Sequence, residues 1–196
     1  SDGQKVAVYK PISAGCDLIN SILVNEDALL LLRQSNCQQT ITQVNPIAFK
    51  EPIAPHIAAA VLKKSINMDD IQQGYKEIIN LNADVVICEG AGGWRLPLGQ
   101  GQFLSEFVQL SDQGVILVVN MKLGCLNHAV LSYQAIISDG LQCLGWIANC
   151  AENMPYLTEN INELTQLLPV PKLAELPFDE DIDNAANRID ISRLTS

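Results

Sequence analysis

DVVICEGAGG, residues 84–93, ends an aliphatic run on a carboxylate and then places three glycines within four residues. Val85, Val86 and Ile87 suit a buried, pleated strand. The glycines that follow let a backbone adopt positive φ or approach a phosphate closely. Four further runs share the strand character: KVAVY (5–9), VILVV (115–119), LGWIA (144–148) and a weaker KLAEL (172–176). Segments of helical periodicity separate them, roughly 26–34, 55–62, 68–80, 103–110, 126–138 and 158–168, with a short turn over 184–188. This alternation predicts βαβ units: an α/β fold with a mostly parallel sheet and helices on both faces. With 196 residues and no linker, repeat or low-complexity tract, the expectation is a single domain over 1–196.

The strand ends carry the polar chemistry. KVAVY runs into Lys10-Pro11, DVVIC into Glu89-Gly90, VILVV into Asn120-Met121-Lys122, LGWIA into Asn149 and KLAEL into Pro177. Open parallel sheets bind ligands outside the carboxyl ends of their strands. Lys10, Glu89, Lys122 and Asn149 are therefore expected on one rim.

Composition limits the ligand. Twelve basic against twenty-two acidic residues leave a net charge of −10, and the basic residues form no run. Such a chain is a poor nucleic-acid binder. A small anion remains possible, held by backbone amides, helix N-termini or a bound cation. No apolar run approaches ~18 residues, so no membrane span is expected. The six cysteines form no C-x-x-C pair and read as reduced core thiols of a cytoplasmic protein.

Each candidate group has a chemical reason and a plainer alternative. Glu89 beside glycines suits an octahedral magnesium that also binds phosphate oxygens, although a solvated turn has the same composition. Lys10, presented by Pro11, can bridge a carboxylate and a transferring phosphoryl group, or be an ordinary exposed lysine. Asn25 can cap a helix whose first turn holds Glu26 and Asp27. KLGCLNHAVLSYQAII places Gly124 before a helix, whose opening amides could anchor a carboxylate or simply be capped. His56 and His128 read as structural.

Taken together, VAVYKPISAG, NEDALLL, NPIAFKEPIAPHIAA, VVICEGAGGWRLPL, VILVVNMKLGCLNHAVLS, LGWIANC and LLPVPKLAELPF resemble dethiobiotin synthetase, in family order over residues 5–178. The resemblance implies a P-loop NTPase-like fold and a cytoplasmic homodimer with a shared active site. It implies ATP- and Mg2+-dependent ring closure of 7,8-diaminononanoate with carbon dioxide, through a carbamate and a carbamic-phosphoric anhydride. By the same resemblance Lys10 is the catalytic lysine, and Asp27 and Glu89 hold magnesium. Asp27, Glu89, Gly90, Ala91, Gly92, Asn149, Cys150, Pro177, Phe178 and Asp179 contact the nucleotide. Ser13, Ala14, Gly124, Cys125, Leu126 and Asn127 contact substrate.

Two departures stand out. No G-x-x-x-x-G-K-[ST] run occurs in the 196 residues, so the first strand and its phosphate loop are expected to be absent, leaving an open sheet edge. The family serine falls where Ala14 stands, with Ser13 one residue earlier. Alternatives are a related P-loop ATPase of the partitioning or metal-chaperone type and a non-catalytic dimeric remnant.

Overall fold

The computed structural model describes residues 3–151, 153–178 and 181–194. Two compact units divide the chain, Ser1–Leu110 and Ser111–Ser196.

The first unit runs β1 (Val6–Tyr9), β2 (Ile12–Ser13), β3 (Asp17–Ile19), β4 (Ile22–Val24), α1 (Glu26–Gln34), α2 (Ile41–Val44), β5 (Ile47–Ala48), α3 (Pro55–Val61), α4 (Met68–Ile79), β6 (Val85–Cys88), β7 (Pro97–Gly99), β8 (Gln102–Phe103) and α5 (Leu104–Leu110). β1 and β6 pair in parallel, from Val6 opposite Val85 to Tyr9 opposite Cys88. Alternation along β1 sends its side chains to two faces. Val8 packs with Ala28 of α1 and Val44 of α2. Ala7 and Tyr9 pack with Ile71 and Ile78 of α4 and Phe107 of α5. Full burial of a Val, Ile or Phe side chain among these contributes about 1.5–3 kcal/mol.

Tyr9 anchors this second face. Its ring meets Phe107 edge-on at 6.1 Å, and its hydroxyl donates to Ile71 O at 2.8 Å. Gly74 makes that approach possible: a Cβ there would lie 2.5 Å from the Tyr9 hydroxyl oxygen. Among the described residues no strand pairs with the edge of β1 away from β6, yet its ladder groups are paired. Gln39 accepts from Val8 N–H (3.0 Å) and donates to Val8 O (2.8 Å) through the same side-chain amide. Asn36 Oδ1 accepts from Val6 N–H, Ser35 Oγ donates to Val6 O, and Lys10 N–H donates to Val44 O. These bonds satisfy backbone groups that a buried edge cannot leave bare.

The second unit runs β9 (Val115–Asn120), α6 (Cys125–Ser138), β10 (Cys143–Asn149), α7 (Leu157–Leu167), β11 (Lys172–Leu176), α8 (Ile182–Asn187) and a 3-10 turn (Ile191–Leu194). Its sheet is parallel, in the order β11-β10-β9. Trp146, Ala148 and Cys150 pack with residues of α6 and α7, whereas Ile147 packs on the opposite face with Leu173, Ala174, Ile189 and Leu194.

The five predicted strands and six main helices are all present, within two residues at their ends. They are distributed over a parallel pair and a parallel trio. The structure adds short pieces that carry too few residues for a period: α2, the parallel pair β2–β5, and the antiparallel hairpins β3–β4 and β7–β8. The β3–β4 turn places Asn20 and Ser21 at positive φ (48° and 66°), the conformation of a tight two-residue hairpin. All six cysteines are free thiols, and five of them are buried.

Candidate active site

Parallel register brings Lys10 and Glu89 together. Glu89 N–H donates to Tyr9 O at 2.8 Å, extending the ladder one step past both strands. Lys10 Nζ lies 2.6 Å from Glu89 Oε1 and 3.4 Å from Gly90 O. Asp27 joins from the first turn of α1, with Oδ2 3.4 Å from the same ammonium. Asn25 fixes that turn, its side chain accepting from Ala28 N–H as the expected cap. The exposure is asymmetric: the Lys10 side chain is 4% exposed, Asp27 59% and Glu89 43%. An ordinary exposed lysine is thus overturned. The chain buries the cation, which it can do because two carboxylates and a carbonyl surround it.

The cluster floors an open cavity of about 240 Å³ lined by Lys10, Ser13, Ala14, Asn25, Asp27 and Glu89 through Gly92. Gly92 has φ +65°, a conformation that L side chains rarely adopt. Behind the cavity, burial pushes the Cys88 thiol up to about 12, aided by the Glu89 charge and opposed by Lys10. Cys88 is therefore a neutral packing group there and not a nucleophile.

Ser13 and Ala14 both reach this cavity. Ser13 Oγ donates to Asn45 Oδ1 at 2.6 Å, and Asn45 Nδ2 donates to Lys10 O at 2.7 Å. Asn45 escaped sequence reasoning. The Asn45-Pro46 dipeptide signals only a turn, and its partners lie 32 and 35 residues away.

The other candidates belong to the second unit. Asn120, Asn149 and Leu176 stand side by side at the carboxyl ends of β9, β10 and β11. Cys150 N–H donates to Leu176 O, and exposed Pro177 and Phe178 follow. Asp179 lies outside the described residues. Gly124 caps α6 with φ 92°. The Cys125 amide is already donated to Lys122 O at 2.9 Å, and Cys125 is buried, whereas Asn127 is exposed. Beside this helix start, Asn120, Lys122, His128 and Ser132 line a smaller cavity of about 110 Å³. Among the described residues no cluster of three or more His, Cys, Asp and Glu could hold a metal by itself. No described helix is long and apolar enough to cross a membrane.

The chain resembles known proteins over nearly its whole length. Residues 1–186 match the family model described as an AAA domain. The ATP-dependent dethiobiotin synthetase BioD of Alteromonas mediterranea is 46% identical over 186 residues, covering 89% of this chain and 80% of that protein. Its namesake from Aeromonas salmonicida is 44% identical over 195 residues, covering 98% and 86%. Among solved structures, a chain of the MinC:MinD cell division protein complex of Aquifex aeolicus superposes with a TM-score of 0.51 at 16% identity, over 96% of this chain and 76% of that one. At that identity the likeness speaks for the fold alone, and with the parallel strands and flanking helices it makes this a P-loop NTPase-like α/β protein. With these relatives 46% and 44% identical over most of the chain, the chain belongs to the dethiobiotin synthetase family.

Proposed function

We propose that this protein is a cytoplasmic, ATP-dependent cyclo-ligase that converts 7,8-diaminononanoate and carbon dioxide to dethiobiotin. The observation that carries the reading is the Lys10 ammonium, buried at a cavity floor and held by Glu89 and Asp27. Phosphoryl transfer needs charge stabilisation and positioning more than covalent chemistry from the protein, and this cluster supplies both.

One substrate amine attacks carbon dioxide and loses a proton, giving a carbamate. A carbamate oxygen then attacks the γ-phosphorus while the bond to ADP breaks. The second amine attacks the carbamoyl carbon of the resulting anhydride, and phosphate leaves with the C–O electron pair. Lys10 neutralises the carbamate and then the transferring phosphoryl group.

The donor set suits Mg2+. Two carboxylates already meet around one cationic centre, with their outer sides open to solvent. Magnesium is commonly held by one or two carboxylates plus water and phosphate oxygens. Asp27 and Glu89 would hold the ion, and what it supplies when bound is neutralisation of phosphate charge.

Gly90, Ala91 and Gly92 contact the nucleotide phosphates in this reading, and Asn149, Cys150, Pro177, Phe178 and Asp179 the adenine. The chain acts as a homodimer in which Gly124 to Asn127 hold the substrate carboxylate for the partner. Exposed Leu18, Ile19 and Ile22 of the β3–β4 hairpin, with Ile57 and Val61 of α3, support an association surface. Sedimentation should give twice the chain mass. Turnover of diaminononanoate with ATP, magnesium and bicarbonate tests the reading, and the lack of a cyclic urea product rejects it. ATP hydrolysis indifferent to diaminononanoate would favour the switch-ATPase alternative.

A further inference from the structure

The Ser13–Asn45–Lys10 junction leaves little freedom in its hydrogens. Lys10 O can only accept, so the nitrogen of the Asn45 amide must face it, at 2.7 Å. The amide oxygen then faces Ser13 Oγ at 2.6 Å, and the Ser13 hydroxyl must be the donor. That uses its single hydrogen. Cys16 Sγ, 3.1 Å from the same oxygen, is left as a weak donor toward it. Of the hydroxyl's two lone pairs, one thus faces the thiol, and no hydrogen bond among the described residues takes the other. All three side chains, Ser13, Cys16 and Asn45, are buried, so bulk water does not rearrange the set. Ser13 nevertheless lines the cavity beside Lys10.

We infer that Asn45 is a positioning residue that locks Ser13 as a pure acceptor, so that this corner of the cavity takes a substrate amine and rejects a ketone or a phosphate oxygen. The inference rests on the synthetase reading for the identity of the amine substrate. A ketone or phosphate oxygen presents lone pairs to a lone pair. An amine N–H completes the Ser13 oxygen. Sites built to hydrogen-bond one group discriminate strongly against an analogue that leaves the partner unpaired. The same amide holds the Lys10 carbonyl, so it links amine recognition to the placement of the catalytic ammonium. Ser13 in this role also gives the hydroxyl displaced from the Ala14 position a separate task.

The test is calorimetric binding of 7,8-diaminononanoate, and of the same skeleton with a ketone replacing one amine, to the full-length protein. Steady-state kinetics accompany it. Ser13→Ala should weaken diamine binding about tenfold, leaving ketone binding and the KM for ATP unchanged. Asn45→Ala should weaken the diamine similarly and also lower kcat. Asn45→Asp keeps the shape and the acceptor toward Ser13 but, ionised, loses the donor to Lys10 O. It should lower kcat with diamine affinity retained, and it serves if Asn45→Ala does not fold. A role in folding alone would not produce that split. Diamine affinity within twofold of wild type in Ser13→Ala, or equal wild-type affinity for the diamine and the ketone analogue, overturns the inference. So does Asn45→Asp with wild-type kcat. Diamine bound selectively but never turned over sinks the synthetase reading and leaves this one standing.

Discussion

Lys10 Nζ and Glu89 Oε1 are 2.6 Å apart although 79 residues separate them in the chain. Adjacent parallel strands of matched register, ending one residue before each, make the contact. Because the lysine is buried and the glutamate is half in solvent, the pair presents a fixed cation beneath a carboxylate that can still turn toward a ligand.

Lys10→Ala should lower kcat/KM about 100-fold or more, since it removes the charge that faces the transferring group. Its thermal midpoint should stay near wild type. The carboxylates left behind are 59% and 43% exposed, so water solvates them once the ammonium is gone. Wild-type kinetics in this variant would remove Lys10 from the mechanism.

Glu89→Gln keeps the shape and a partner for Lys10 but halves the carboxylate set. The magnesium concentration giving half-maximal turnover should rise about tenfold. An unchanged magnesium titration would show that Glu89 only neutralises Lys10.

Gly74→Ala should destabilise the fold by about 1–3 kcal/mol in a denaturant titration, despite the helical preference of alanine. The added Cβ would collide with the Tyr9 hydroxyl at 2.5 Å. Tyr9→Phe removes that oxygen, so the double variant should be more stable than Gly74→Ala alone. Strict additivity of the two changes would refute the contact.

Cys88 sets an alkaline limit. In the unfolded chain its thiol ionises near 9.0, whereas burial and Glu89 hold it protonated to about 12 in the folded chain. Between those values the native state keeps a proton that the unfolded state has lost. Stability is therefore complete below about 9 and declines as pH rises toward 12. Tyr9 and Tyr75, raised by burial from 10.0, act in the same direction. Cys88→Ala should flatten the fall of the denaturation midpoint between about pH 8.5 and pH 10.5. Equal slopes in the two proteins would show that the thiol is not shielded.

Much of the site could be read from strand ends alone. Lys10 and Glu89 directly follow aliphatic runs, and in a parallel sheet such positions share an edge. Asp27 became a candidate through family resemblance, because a first-turn acid is equally well explained by the helix dipole. The burial of Lys10 was not legible. A lysine beside proline looks the same in sequence whether it points to water or to two carboxylates.

From sequence alone came the five strands, the six main helices and the family, because hydrophobic periodicity and extended motifs are local properties of the chain. Only the tertiary structure decided that Gln39 and Asn36 finish the β1 ladder, that Gly74 admits the Tyr9 hydroxyl, and that Asn45 joins Ser13 to Lys10. Each of those pairings depends on side chains distant in sequence arriving within about 3 Å of a specific backbone or side-chain atom. Packing of the whole unit sets such distances, and no local pattern encodes them.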